Sequence, residues 1–224
     1  MNFNNVLIVS AHADDETFGM GATISKLKTK GISVHWVVMS MVWEPRWSAS
    51  QVKQRERDIG KLGDFFDFDS VTRWDYPDNK METVSKDQYQ ERMIRLLEEI
   101  KPDTVFCPGN SDWNTEHKIA FEVVEMSTKP LYSSYIKNIL TYEIPSSTDW
   151  SFKSIRNFKR NYYVQINNDD LDLKKKACSL YTTEVENYPH PRSLEGVELL
   201  AKTRGMEVGV HYAESFCLVR SIIS

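Results

Sequence analysis

A strand that runs straight into a cluster of acids constrains this chain more than any other feature. Asn5-Val6-Leu7-Ile8-Val9-Ser10 has the continuous apolar centre of a strand covered on both faces, as parallel strands are. Residues 20–30 then read as a helix, with Ile24 and Leu27 inward, Lys26, Lys28 and Lys30 outward, and Gly31 as its stop. Residues 33–39 (SVHWVVM) are a second strand. A strand, a helix and a strand with short joints make a βαβ unit, and that unit requires a parallel sheet with a crossover helix on its face.

The alternation continues. A capping box at Ser48 and Gln51 opens a helix toward Phe66, and residues 71–74 follow as a third strand. Ser85 with Gln88 caps a helix that draws its apolar face from Met93, Ile94, Leu96 and Leu97, and Lys101-Pro102 ends it near Ile100. Residues 104–107 are a buried strand, 114–128 a helix and 139–142 a strand. After Pro145 the rhythm weakens to a strand at 162–166, a helix capped by Asn168 that runs through Tyr181, and a helix at 193–205. The expected fold is α/β, a doubly wound and mostly parallel sheet with helices on both faces and a C-terminal extension. It is expected as a single domain over residues 1–224. In such a sheet the site lies beyond the carboxyl ends of the strands.

Composition narrows the partners. The 224 residues are 41% hydrophobic and 27% charged, with a net charge of -4, which suits a globular chain and disfavours nucleic acid. Lys174-Lys175-Lys176 reads as a solvated helix face. The apolar run at residues 6–9 is too short for a signal-peptide core, and no stretch approaches the ~18 apolar residues of a membrane helix. A cytoplasmic protein with no membrane partner is expected. Cys107, Cys178 and Cys217 are too few and too scattered for a disulfide framework or a CxxC clip, so they read as reduced thiols.

Chemistry enters directly after the first strand, in Ala11-His12-Ala13-Asp14-Asp15-Glu16. His12 and Asp15 could hold one metal from a loop entering a helix, and imidazole with carboxylate suits zinc or ferrous iron. His117, placed shortly after the strand at 104–107, is the best third ligand, because strand order could bring its loop beside the first. His35 lies within a strand and reads as core or pleat-facing. Asp14, between the two first-loop ligands, could take a proton from water and return it to a leaving amine. Spacing alone leaves a second reading open, in which Asp14, Asp15 and Glu16 only stabilise a helix N-terminus.

AHADDETFGMGATISKL resembles the signature of the LmbE-like, or PIG-L, family of N-acetylglucosaminyl deacetylases, whose hallmark is A-H-P-D-D-E. The family's D-x-H-x-D-H element is matched by Asp112-Trp113-Asn114-Thr115-Glu116-His117. Further likeness lies at Arg55, Asp78, Tyr142-Glu143, His190-Pro191-Arg192-Ser193, Arg204-Gly205 and Tyr212-Ala213-Glu214-Ser215-Phe216, which together cover most of the chain. The resemblance implies a Rossmann-like fold, zinc held by His12, Asp15 and His117, Asp14 as general base, and Arg55 and Asp78 on sugar hydroxyls.

This sequence departs from the family pattern in three places. Ala13 replaces the hallmark proline, and Glu116 replaces an aspartate, as a partner for a ligand histidine or as a helix-terminal charge. Asn114 stands where relatives carry a histidine that polarises the scissile carbonyl. An amide NH2 can still donate to an oxyanion, and His190 is the preferred source of the missing cation, ahead of His211. Trp43, Arg46, Trp47, Trp113 and Trp150 suit the rim of a sugar site, and Arg192 suits an anionic part of the substrate. The function expected is metal-dependent removal of the N-acetyl group from an N-acetylated sugar, sugar nucleotide or small glycoconjugate precursor. A catalytically impaired sugar-binding relative and an amidohydrolase acting on a non-sugar amide are the alternatives, and homo-oligomerisation is left open.

Overall fold

The structure, a computed structural model, describes residues 3–152 and 157–223. Its elements in chain order are β1 (Asn5–Ser10), α1 (Asp15–Thr29), β2 (Ser33–Met41), α2 (Ala49–Phe66), β3 (Ser70–Pro77), α3 (Lys86–Ile100), β4 (Thr104–Pro108), α4 (Thr115–Ser127), β5 (Asn138–Tyr142), β6 (Tyr162–Ile166), α5 (Asn168–Leu180), α6 (Leu194–Val208) and β7 (Tyr212–Ser221). A short 3-10 turn, Met81–Thr83, sits between β3 and α3.

The strands form one sheet in the order β3-β2-β1-β4-β5-β7-β6. β1 to β5 run parallel, whereas β7 is antiparallel to both β5 and β6. The two-residue period of β1 serves both faces at once. Val6 and Ile8 pack with Ile24, Leu62 and Phe66 under α1 and α2, while Leu7 and Val9 pack with Met93, Leu97 and Val124 under α3 and α4. The chain winds outward from β1 to β3 and then returns to β4 on the other side of β1. The loops after β1 and β4 therefore meet at a topological switch point.

Two readings of the sequence need correction. α1 begins at Asp15, five residues ahead of the expected start at 20, because the acidic loop itself enters the helix. Met20 interrupts that helix (φ -146, ψ 23), so apolar periodicity reports only its second half. The first half lies close against β5. A Cβ on Gly19 would come within 2.5 Å of the Tyr142 ring, so glycine is required for the approach. α5 is capped by Asn167, not Asn168, through a reciprocal capping box with Asp170. The expected C-terminal extension completes the sheet, with β7 entering it between β5 and β6.

β7 hides from a hydropathy reading because buried polar residues interrupt it. Glu214 is buried, and its carboxylate accepts from the backbone N–H groups of Ala22 (3.2 Å) and Thr23 (2.7 Å). Those donors open the resumed half of α1 after Met20, where helical partners are missing. Lys174 donates to the same carboxylate at 2.6 Å and is itself buried. It is therefore not the first lysine of a solvated helix face. Lys175 pairs with Glu198 at 2.7 Å, and Lys176 alone of the three is exposed. Cys107 and Cys178 are buried free thiols and Cys217 is half-buried. Among the described residues no helix is long and apolar enough to cross a membrane.

Lys174→Met should cost about 3–5 kcal/mol in urea unfolding, since it leaves Glu214 buried without its counter-charge. Adding Glu214→Gln should recover most of that loss. A single-variant cost under about 1 kcal/mol would show that the pair is not buried as described.

Candidate metal centre and cleft

Two loops build the site. In the loop leaving β1, the His12 N–H donates to Asp15 Oδ2 at 2.8 Å and turns that carboxylate back over the loop. Asp14 takes a positive φ of 149°, unusual for a residue with a side chain, and it is the N-cap of α1. Glu16 supports this strained turn from the core. Its oxygens accept from Ser10 Oγ (3.3 Å), the Asp14 N–H (3.3 Å), Thr17 Oγ1 (2.6 Å) and the Tyr181 hydroxyl (3.0 Å). Burial pushes the Glu16 carboxyl up to about 8, so it is mostly protonated at neutral pH.

The loop after β4 supplies the partners. Asn114 caps α4 by accepting from the Glu116 N–H at 2.9 Å, and the first turn of that helix carries Glu116 and His117 inward. His12 Nδ1 lies 3.2 Å from His117 Nε2, and His117 Nε2 lies 3.2 Å from Asp15 Oδ1. A carboxylate stands behind each ring. Glu116 Oε2 is 2.6 Å from His12 Nε2, and Asp112 Oδ2 is 3.0 Å from His117 Nδ1, off the line of an ideal hydrogen bond. Met81 N–H holds the other Glu116 oxygen at 2.9 Å, and the Thr148 hydroxyl donates to Asp112 Oδ2 at 3.3 Å.

Electrostatics follow from this crowding. Burial works against a charged His117, but Asp15 and Asp112 outweigh it and raise the ring to about 9. Burial likewise works against an ionised Asp15, yet His117 and His12 hold it far below the ordinary carboxylate range. Asp14 sits apart from this group. Burial lifts it to about 6, with Arg192 opposing the rise.

The donor set fits a divalent cation. Ligand atoms of His12, Asp15 and His117 all lie within 4.8 Å of one another, and Asp15 Oδ1 is buried without a well-directed hydrogen bond. A second set, His12, Asp78 and Glu116, meets the same distance. Chemistry favours the first. With Glu116 and Asp112 behind the rings, the tautomers that place each proton on the far nitrogen leave the near nitrogens as lone pairs beside Asp15 when a cation replaces the shared proton. Two imidazoles and one carboxylate suit zinc, and also ferrous iron.

Beside this centre is a cleft of about 180 Å³, lined by His12, Ala13, Asp14, Ser40, Val42, Trp47, Arg55, Asp78, Asn114, Glu184 and Arg192. Eight of the nine residues picked out from sequence thus converge, either in the cleft wall or, for Asp15 and His117, just beneath it. His190 does not line the cleft. Its Nδ1 accepts from the Arg192 N–H at 3.1 Å, and its ring stands edge-on to Trp150 with centroids 5.1 Å apart. Arg192 is committed to acids of the protein itself, Asp14 at 2.9 Å and Glu184 at 3.1 Å. Arg55 pairs with Glu184 and donates to the Ala13 carbonyl at 2.7 Å. Trp43 donates to the Asp78 carbonyl at 2.9 Å, while Trp113 and Trp150 are about half exposed, at 49% and 55%.

Sequence reasoning gave no role to Glu184 or Asp112. Glu184 lies in the turn after α5 within no recognisable motif, and only the fold brings it to Arg55, distant in sequence, as well as to Arg192 a few residues on. Asp112 opens the second motif, and its position five residues before His117 was the signal available.

This is a Rossmann-like α/β domain with a candidate metal centre and an acid-lined cleft at its switch point. Residues 7–127 match PIG-L, GlcNAc-PI de-N-acetylase, and the chain belongs to that family. Several solved structures share its fold. The N,N'-diacetylchitobiose deacetylase from Pyrococcus horikoshii is 22% identical with a TM-score of 0.74, over 98% of this chain and 85% of that one. The teicoplanin deacetylase Orf2, in a zinc-inhibited form, is 13% identical with a TM-score of 0.76, over 98% and 99% of the two chains. GalB, the 4-carboxy-2-hydroxymuconate hydratase from Pseudomonas putida KT2440, is 17% identical with a TM-score of 0.77, over 99% and 98%. A deacetylase and a hydratase on one scaffold show that the fold alone does not decide the reaction.

Glu116→Gln and Asp112→Asn should each weaken zinc binding by about 10- to 100-fold in competition with a chelating dye, because each removes the carboxylate that orients a ligand ring. Affinity unchanged in both variants would place the ion elsewhere.

Proposed function

We propose that this chain is a metal-dependent N-deacetylase that hydrolyses the acetamide of an N-acetylated sugar, sugar nucleotide or small glycoconjugate precursor. The observation that carries the reading is the convergence of His12 Nδ1, Asp15 Oδ1 and His117 Nε2 beside a cleft whose wall includes Asp14. Membership of a de-N-acetylase family and deacetylases among the structural neighbours support it.

His12, Asp15 and His117 would hold zinc or ferrous iron, which would supply an acidified water and a polarised amide carbonyl. The remaining work falls to the chain. Asp14 takes the water proton and returns it to the leaving amine, with Arg192 fixing its carboxylate from 2.9 Å. Asn114 has its Oδ1 engaged in capping α4, which leaves its Nδ2 to donate to the oxyanion. His190 serves the site through Arg192, whose backbone N–H it holds. Asp78 faces a sugar hydroxyl from the cleft wall, and Arg55 holds Glu184 and the Ala13 carbonyl in place beside it.

The test is free-amine release from a panel of N-acetyl sugars with zinc-loaded protein, abolished by a chelator and restored by zinc. Asp14→Asn should bind zinc normally and lose about 100- to 10,000-fold in kcat. Glu16→Gln should stay within a few-fold, because its side chain is turned into the core and is already mostly protonated. Asp14→Asn within about threefold of wild type would remove the base from this residue. Stoichiometric zinc with no amine release from any sugar would favour a binding relative instead.

A further inference from the structure

Which sugar enters depends on charge, and resting on the deacetylase reading above, we infer that Glu184 is a specificity residue that reserves the cleft for an uncharged N-acyl glycoside. Arg55 and Arg192 are the two guanidinium groups in the cleft wall, and an exposed pair of this kind would bind a phosphate. In both, the charge is already met by carboxylates of the protein itself. Glu184 bridges them, with Oε1 on Arg55 Nη2 and Oε2 on Arg192 Nη1. The remaining contacts of Arg55 and Arg192 go to the Ala13 carbonyl, Asp14 and the Pro145 carbonyl.

The charge balance points the same way. Asp14, Asp78 and Glu184 in the cleft wall oppose two arginines. Asp15 lies at the centre, with Asp112 and Glu116 behind its histidines, so a divalent ion held there would leave no surplus positive charge for an anionic substituent. Among the described cleft residues, the buried side-chain donor that lacks a partner is the Trp47 indole N–H. It is neutral and matches a hydroxyl.

Hydrogen bonds to charged groups each correspond to about 10- to 100-fold in affinity, so withdrawing the arginines from a phosphate should show as discrimination of that size. The experiment compares kcat/KM for methyl N-acetylglucosaminide and for N-acetylglucosamine 1-phosphate, using zinc-loaded wild type and Glu184→Gln. Wild type should favour the neutral glycoside at least tenfold. Glu184→Gln should close the gap by about tenfold or more through a lower KM for the phosphate, and Glu184→Asp should keep the neutral preference. Equal or better use of the phosphate by wild type overturns the inference, even if Glu184→Gln does not fold. So does an unchanged ratio in a folded Glu184→Gln.

If wild type deacetylates neither sugar, the deacetylase reading fails separately, and titration with sulfate decides the charge role of Glu184. Sulfate should bind Glu184→Gln at least tenfold more tightly than wild type; equal binding overturns the inference. Should that variant not fold, sulfate bound to wild type in competition with the neutral glycoside overturns it, and sulfate without effect supports it.

Discussion

His117 Nε2 lies 3.2 Å from both His12 Nδ1 and Asp15 Oδ1, and three such atoms in a buried site repel one another unless a proton or a cation lies among them. The surroundings prevent the usual relief, in which a ring turns its N–H toward the other. Glu116 claims the far side of His12, and Asp112 claims the far side of His117. Positive charge is thus drawn to a single point, and the rise of His117 to about 9 expresses the same demand through a proton. The rest of the fold serves this convergence. Strand order sets the β1 and β4 loops side by side, Glu16 and Tyr181 brace the strained turn at Asp14, and Asn114 fixes the first turn of α4.

Much of this was legible in the sequence because it rests on local rules. The buried strand at β1, the capping box at Ser48, the side-chain cap at Ser85 (without the reciprocal bond from Gln88) and the strand at Tyr162–Ile166 follow from apolar runs and cap chemistry read one segment at a time. The motif residues of the two loops were legible for a different reason, their likeness to a family pattern. What escaped depends on partners far apart along the chain. Lys174 looks like a solvent-facing lysine until Glu214 is placed 2.6 Å away, and Glu214 looks like a break in a strand until it is seen capping α1. Glu184 carries no motif although it lies close before Arg192, and Arg192 looked ready for a substrate anion because Asp14, the other acid it meets, is at the far end of the chain.

The cleft and the metal centre divide the labour between rigid and selective parts. The candidate centre is doubly braced by Glu116 and Asp112, which fixes the two rings in one geometry. The cleft wall consists of interlocked acids and arginines, so removing one charge redistributes the others, and variants there should be compared as sets.

The most direct measurement of the central claim is anomalous scattering at the zinc edge from crystals grown or soaked with zinc. One dominant peak among His12 Nδ1, Asp15 and His117 Nε2, with Glu116 and Asp112 still behind the rings, is the predicted result. A dominant peak between His12 Nε2, Asp78 and Glu116, or no ordered peak near His12, would contradict it.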